Sequence, residues 1–365
     1  MGLLRLLLAV SVLSAHAGPI FGSYLIGGKM AVQAFFMISG FYMALVLSQK
    51  YEKKKNFYRL FISNRILRIY PTYLTVLIMS IFVYGILFSH ASTGKFMFYK
   101  VYALSFDFPL LIYLFLSNIF ILGMDLVMFL GVNLKTGASY LTPDYLSTNP
   151  ILHDFMLIPQ AWTLSLEFLF YLLVPFIYKK SLKFVILLTL ISIILRIYIY
   201  SIGLHHEPWT NRFFPTELAF FLIGILSYRF YNQVKKLKLN IKPFSLTLLV
   251  VLAFITIFYG YLPDYSQGKF NIIQNGYYML IFISMPFIFE QTKNSIFDKT
   301  LGALSFPIYI SHFLIASIVI YMNIGNDKFF SLITLTITVV FSIILMIFIE
   351  NPIDKYRLTR LKKTE

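Results

Sequence analysis

The 365-residue chain contains no cysteine and has few charged side chains. Without cysteine it forms no disulfide, no thiolate zinc site and no cysteine acyl-enzyme. Charged residues make up 13% of the sequence, about half of the roughly 25% that is usual in soluble domains. This shortage excludes an ordinary soluble enzyme, and a hydrophobic content of 59% excludes a disordered chain. The composition therefore predicts a protein with many membrane-spanning segments.

Several catalytic motifs are also missing. The sequence has no P-loop, no G-x-G-x-x-G phosphate loop, no G-x-S-x-G nucleophile elbow and no H-E-x-x-H zinc pair. These absences disfavour phosphoryl transfer, hydrolysis of the soluble type and metalloproteolysis. We expect no metal site.

Apolar runs of about 20 residues, the length that a hydrocarbon core of ~30 Å requires, recur along the chain. The runs cover residues 3–22, 29–48, 69–89, 108–130, 162–178, 182–201, 212–231, 243–262, 272–290, 301–322 and 329–350. Most connections between them are short. The sequence therefore predicts an all-α, polytopic membrane helix bundle.

Basic residues exceed acidic ones by 31 to 15, and they are concentrated between the apolar runs. Lysine and arginine remain on the cytoplasmic side of membrane proteins. The basic clusters lie in segments 50–68, 179–183, 229–242 and 351–365. The net charge of +16 thus reports topology and contact with anionic lipid, not nucleic-acid binding. We expect a membrane-embedded domain over residues 1–350, a basic cytoplasmic tail over 351–365, and both termini in the cytoplasm.

The basic segments all fall on the cytoplasmic side of the membrane only if one of the apolar runs does not cross it. Run 108–130 is the best candidate, since it follows Pro109 and contains Asn118, Gly123 and Asp125. We expect it to be re-entrant or interfacial, which is tolerated where protein covers the backbone. About ten crossings remain. The N-terminal residues also resemble a signal peptide ending at Ala17, and topology alone does not decide whether they are cleaved.

Charged side chains inside apolar runs are costly, and each is a candidate functional residue. Arg5 and His16 are eleven residues apart, which is three helical turns plus roughly 20°. Both therefore lie on one face of a helix, about 16 Å apart along its axis. Simple anchoring of Arg5 and simple packing of His16 are the structural alternatives.

Arg65 and Arg68 lie one helical turn apart at the predicted cytoplasmic end of the third run. Two guanidinium groups placed in this way suit a phosphate, which arginine binds with two parallel hydrogen bonds. Anchoring of the helix on the cytoplasmic side is the alternative.

Acids and bases also occur deeper in the runs. Glu167, Arg196 and Glu217 are predicted in the outer half of the bundle, near His16. A buried ion pair between Arg196 and either glutamate would explain them structurally, and His312 would then be a packed polar residue. The whole pattern suits either transmembrane group transfer or substrate transport.

At these residues the sequence resembles the acyltransferase-3 family of integral-membrane O-acyltransferases, of the type that acetylates bacterial surface polysaccharides. The resemblance extends in order over essentially the whole chain. Its elements are the Arg5-to-His16 first helix, the F-F-x-x-S-G-F pattern at residues 35–41, R-x-x-R-I-x-P from Arg65 to Pro71, W-S-L-S-x-E at 162–167 with Thr163 replacing the first serine, the segment 305–312, and Glu350-Asn351-Pro352.

The resemblance implies transfer of an acyl group, usually acetyl, from cytoplasmic acetyl-CoA to a hydroxyl of a cell-surface or lipid-linked saccharide. It implies an inner-membrane location and retention of the first 17 residues. We expect Arg5, Arg65 and Arg68 to hold the donor and His16 to act as general base or transient acyl carrier. Glu167 would orient His16 or bind sugar hydroxyls. The remaining residues expected to contact donor or acceptor are Ser39, Trp162, Ser165, Arg196, Glu217 and His312.

Two alternatives remain from the residues themselves. A saccharide transporter or flippase would use the same buried charges as a permeation path, although no internal inverted repeat favours it. The other superfamily of membrane-bound O-acyltransferases is also histidine-based, but the two arginine motifs fit it poorly.

Overall fold

The computed structural model describes residues 1–87, 95–236, 242–262, 271–324 and 329–362. Parts of the basic segments 229–242 and 351–365 and the end of run 69–89 lie outside the described residues. The described part is almost entirely helical, which confirms the all-α polytopic bundle. Its helices are α1 (Gly2–Ala17), α2 (Gly27–Val46), α3 (Phe57–Phe82), α4 (Lys95–Tyr102), α5 (Phe108–Phe120), α6 (Trp162–Ile177), α7 (Leu182–Ser201), α8 (Phe214–Lys236), α9 (Lys242–Phe258), α10 (Ile272–Thr292), α11 (Ile296–Tyr321), α12 (Phe330–Leu345) and α13 (Asn351–Lys362).

The bundle has a buried centre and a lipid-facing periphery. Helix α2 packs on α8, and α1 packs between α2 and α11. Helices α7, α9 and α12 lie at the edge and expose most of their apolar side chains. A soluble protein would not leave so much apolar surface in contact with water.

Within the described residues, eight helices are long and apolar enough to cross a membrane. Helices α1 and α5 are apolar but shorter, with 16 and 13 residues. Helix α8 has 23 residues but carries Glu217 and Arg229. The structure supports a multi-pass membrane protein, and the number of ten crossings with cytoplasmic termini stays a prediction.

Run 108–130 does not form one continuous helix. Helix α5 spans about 20 Å, which is too short for a core of ~30 Å. It ends before Ile121, whose φ of 68° is left-handed and interrupts the helix. A short antiparallel hairpin follows, in which β1 (Leu130–Val132) pairs with β2 (Ser139–Leu141). This geometry agrees with a segment that enters the protein without crossing.

The basic segments are more ordered than their composition indicates. Helix α3 begins at Phe57, not at residue 69, so Arg65 and Arg68 lie within it. The predicted tail is a helix, α13, that rests on α3. There Arg360 donates hydrogen bonds to Asn64 Oδ1 at 3.0 Å and to Ser63 Oγ at 2.9 Å.

Two glycines allow α2 and α8 to touch backbone to backbone. A Cβ on Gly224 would lie 2.0 Å from the carbonyl oxygen of Met37, and one on Gly40 would lie 2.0 Å from that of Phe221. Small residues at helix crossings permit this close packing in membranes. The contact fixes α2, which carries Ser39 beside Gly40.

We expect Gly224→Ala to destabilise the protein, because the new methyl group cannot fit against Met37. Overpacking of this kind costs about 1–3 kcal/mol. Gly276→Ala in α10 is the matched control, since no atom lies within 4 Å of a Cβ built there. Thermal unfolding in detergent should show a lower Tm for Gly224→Ala alone. Equal Tm values for the two variants would contradict the backbone contact.

Candidate active site

One cavity of about 320 Å³ opens between α1, α2, α3, α6, α11 and α13. It gathers side chains from segments far apart in the sequence. Its charged and polar lining consists of Arg5, Ser39, Tyr42, Arg65, Arg68, Thr163, Glu167, Tyr171, Ser305, Tyr309 and Arg357. The structure therefore brings together the three arginines expected to bind the donor, together with Ser39 and Glu167.

The start of α1 is held firmly against α11. The Asp298 carboxylate accepts hydrogen bonds from the backbone N–H groups of Gly2 at 2.7 Å and Leu3 at 3.0 Å. A carboxylate at this position accepts hydrogen bonds from the free N–H groups of the first turn, and it interacts favourably with the positive end of the helix dipole. A Cβ on Gly2 would meet the Asp298 carbonyl oxygen at 1.6 Å, so the backbones are in contact. Arg5 is thereby fixed one turn further along.

The arginines of this cavity are only partly neutralised. Arg68 contacts the carboxylates of Asp354 at 2.8 Å and Glu350 at 3.8 Å. Among the described residues, Arg5 and Arg65 have no carboxylate within 4.0 Å. Arg65 lies over the ring of Phe61, and its buried Nε has no partner within the same ranges. Buried N–H groups without an acceptor are costly, so this cavity suits an anionic ligand.

Glu167 lines this cavity from α6. Ser39 Oγ donates to Glu167 Oε1 at 2.7 Å. The chain before α6 is itself buried, with Leu152 and Phe155 fully enclosed, so α6 begins inside the protein. The position of Glu167 in the outer half of the bundle stays a prediction.

His16 lies in the last turn of α1 and contacts His312 of α11. The distance from His16 Nδ1 to His312 Nε2 is 3.0 Å, and the rings stack with centroids 5.1 Å apart. His312 is fully buried, whereas His16 is exposed. The residue that holds His16 is therefore His312, where the sequence had favoured Glu167.

The hydrogen bonds of this pair assign its tautomers. His312 Nδ1 lies 2.7 Å from the carbonyl oxygen of Tyr309, which can only accept, so Nδ1 carries a proton. In the neutral ring Nε2 then accepts, and His16 must donate from Nδ1. The lone pair of His16 is consequently on Nε2, the nitrogen that faces away from His312.

Tyr309 connects the cavity with the histidine pair. It lines the cavity and lies one helical turn before His312. Its hydroxyl donates to the Gln160 carbonyl oxygen at 2.8 Å and lies 2.6 Å from Thr163 Oγ1. The cavity lining at Tyr309 and the histidine pair are therefore one helical turn apart along α11.

Two of the other predicted site residues have structural partners outside the cavity. Ser165 Oγ lies 2.5 Å from Asp125 Oδ1 and accepts from the Gly123 N–H at 3.0 Å. It therefore fastens the end of run 108–130 to α6. Trp162 stacks under the guanidinium group of Arg212, whose carbon lies 4.3 Å from the ring centroid. Direct substrate contacts by either residue stay a prediction.

Arg196 and Glu217 form the buried ion pair that the sequence allowed. Arg196 Nη1 lies 2.6 Å from Glu217 Oε1, and Gln33 Nε2 donates to the same carboxylate at 3.1 Å. Glu217 is fully buried. This set of contacts satisfies both charges without a substrate, so a binding role for either residue stays a prediction.

Sequence reasoning placed Arg212 near the outer end of run 212–231 without giving it a role, and it named Arg357 only as one of the basic residues of the tail. Arg212 is buried over Trp162 and pairs with Glu207 at 3.3 Å. Burial raises the pKa of Glu207, but Arg212 and the Asn211 amide outweigh that effect and hold it below its usual value. Arg357 lines the cavity from α13. Nothing in its sequence context distinguishes Arg357 from the other basic residues of the tail.

Comparison with known proteins gives a family match over nearly the whole chain. Residues 1–350 match the model of the acyltransferase-3 family, described as "Acyltransferase domain". A relative from Aquifex aeolicus is 24% identical over 214 residues, covering 56% of this chain and 91% of its own length. One from Haemophilus influenzae is 28% identical over 221 residues, covering 56% and 77%. Both are described only as "Uncharacterized protein". No solved structure matches.

We expect Glu217→Gln to destabilise the bundle, because Arg196 keeps its charge and loses its carboxylate. Breaking a buried pair on one side costs about 3–5 kcal/mol, whereas replacing both partners with apolar residues is often neutral. The double variant Arg196→Met/Glu217→Met is the control. Thermal unfolding should place its Tm above that of the single variant, and the reverse order would contradict a structural role for the pair.

Proposed function

The chain belongs to the acyltransferase-3 family, and on this premise we propose that it moves an acyl group from acyl-CoA to a saccharide hydroxyl. Family membership makes it an acyltransferase, and its helices make it a multi-pass membrane protein. The proposal adds an acetyl donor on the cytoplasmic side, a cell-surface or lipid-linked acceptor, an ester product and an inner-membrane location. Its main support is that one helix, α1, joins Arg5 in the arginine-lined cavity to His16.

The donor would lie with its phosphate groups in the cavity. Arg5 and Arg65 have no ion-pair partner in the described ranges, and guanidinium groups bind phosphate through paired hydrogen bonds. Ser39 and Glu167 would contact polar groups of the same ligand. The long pantetheine arm of CoA then carries the thioester along α1 towards His16, about 16 Å from Arg5.

His16 would act as the general base through Nε2. This nitrogen takes the proton of the acceptor hydroxyl while the hydroxyl oxygen bonds to the acyl carbonyl carbon. The carbon–sulfur bond breaks, and CoA leaves as a thiolate that recovers the proton from His16. In the variant with an acyl carrier, Nε2 bonds to the acyl carbonyl carbon, the carbon–sulfur bond breaks and CoA leaves as a thiolate. The acceptor oxygen then bonds to the carbonyl carbon, the carbon–Nε2 bond breaks, and the thiolate takes the hydroxyl proton. Both routes need the lone pair on Nε2.

His312 would be a positioning residue. His312 Nε2 accepts a hydrogen bond from His16 Nδ1–H, which leaves the lone pair of His16 on Nε2 and fixes the plane of its ring. Its own orientation is fixed by the Tyr309 carbonyl oxygen. Partners of this kind hold a catalytic imidazole in its working tautomer.

We expect His16→Gln to fold and bind acetyl-CoA but to transfer little acyl group, because glutamine cannot accept and release a proton. Loss of a general base costs about 10² to 10⁴ in rate. The assay follows labelled acetyl-CoA with purified protein and saccharide acceptor in lipid nanodiscs. His205→Gln, in an exposed loop, is the matched control.

The same assay tests the positioning role of His312 and distinguishes an acyltransferase from a saccharide carrier. His312→Phe should lower the rate, change its pH profile and leave donor binding intact, because only the orientation of His16 is lost. Substantial transfer by His16→Gln would remove His16 from catalysis. Saccharide movement without loss of acyl groups from CoA would indicate a carrier.

We expect the double variant Arg65→Lys/Arg68→Lys to bind acetyl-CoA about tenfold or more weakly, although both charges remain. Lysine cannot reproduce the two parallel hydrogen bonds of a guanidinium group. Titration of acetyl-CoA against the purified variant measures the change. Lys50→Arg, an exposed charge in the helical turn that follows α2, is the control. An unchanged affinity for acetyl-CoA would mean that both arginines only anchor the helix on the cytoplasmic side.

A further inference from the structure

Helix α13 contributes to the cavity although it lies beyond the family match, which ends at residue 350. Arg357 is the residue of α13 that lines the cavity, beside Arg65 and Arg68. It adds a fourth guanidinium group to the three that the first and third helices supply.

A single carboxylate, that of Asp354, bridges two of these arginines. Asp354 Oδ2 lies 2.8 Å from Arg68 Nη1, and Oδ1 forms an ion pair with Arg357 Nη1. Two guanidinium groups that converge on one anion reproduce the environment that proteins offer to phosphate. Arg357 also has a buried Nε without an acceptor in the described part of the chain. The pair is therefore not saturated by Asp354.

Helix α13 is attached by polar contacts and by Leu361, a partly buried side chain that packs against the apolar core. None of its residues is fully buried. Arg360 holds it to Ser63 and Asn64 of α3, while Asp354 remains 41% exposed. The two guanidinium groups that it bridges are 22% and 13% exposed, so the carboxylate is the partner that can turn towards water. A stronger anion can therefore replace Asp354 without unfolding the bundle.

We propose that α13 completes the donor site: Arg357 binds a phosphate group of acyl-CoA together with Arg68, and the Asp354 carboxylate occupies that position until the donor displaces it. This inference rests on the proposed function, since it takes acyl-CoA as the ligand of the cavity. The two arginines exchange a singly charged carboxylate for a more highly charged phosphate group. Asp354 consequently weakens donor binding, and Arg357 strengthens it.

The experiment measures acetyl-CoA binding to the full chain in phosphatidylcholine nanodiscs, which offer no anionic headgroup. We expect Arg357→Gln to weaken binding about tenfold and Asp354→Asn to tighten it several-fold. Lys355→Gln, an exposed charge on the same helix, should bind like the wild type. A gain of affinity in Asp354→Asn cannot arise from misfolding, so this variant tests the idea even where Arg357→Gln folds poorly.

Three outcomes would overturn the inference. They are unchanged affinity in Arg357→Gln, weaker binding in Asp354→Asn, and an effect of Arg357 that appears only in nanodiscs with phosphatidylglycerol, which would assign the site to a lipid headgroup. If wild-type protein binds no acetyl-CoA, the proposed function itself fails. Wild-type binding that is insensitive to Arg357 and Asp354 would remove only the role of α13.

Discussion

Four arginine side chains line one cavity of a bundle that is otherwise apolar, and each guanidinium group needs an anion, an aromatic face or water. Arg68 and Arg357 share Asp354, and Arg65 lies over Phe61. Arg5 has no carboxylate within ion-pair distance in the described part of the chain. Placing this charge inside a membrane protein is costly, and under the proposed function the phosphate groups of the donor would supply the missing anions.

Helix α1 connects the arginine-lined cavity with His16, the proposed general base, and both of its ends are fixed. Asp298 and the close backbone contact at Gly2 fix one end of the helix, and His312 holds the side chain at the other end. A donor anchored beside Arg5 would thus present its thioester along one rigid element to His16. Under the proposed function the acceptor would approach the exposed ring of His16 without entering the arginine-lined cavity, and donor and acceptor would use different openings.

Local spacing predicted the part of the site that depends on single helices. The three-residue spacing of Arg65 and Arg68 and the eleven-residue spacing of Arg5 and His16 fixed which residues share a face, and the apolar runs predicted the bundle. Spacing does not determine which helices pack together. The contact between His16 and His312, from opposite ends of the chain, is therefore absent from any local pattern.

The contacts of Glu167 were the other feature that counting residues could not give. Its place in run 162–178 predicted only a depth in the bundle, whereas the packing of α6 on α2 brings its carboxylate to Ser39. In the same way the tail was expected only to carry positive charge, whereas α13 folds back on α3 and inserts Arg357.

A structure of the protein with bound acetyl-CoA, determined by electron cryo-microscopy in nanodiscs, tests the central claim most directly. The account predicts the phosphate groups of CoA among Arg5, Arg65 and Arg68, with the acyl carbonyl carbon close to His16 Nε2. Density for CoA with its phosphates away from these arginines, or with the thioester directed away from His16, would contradict it.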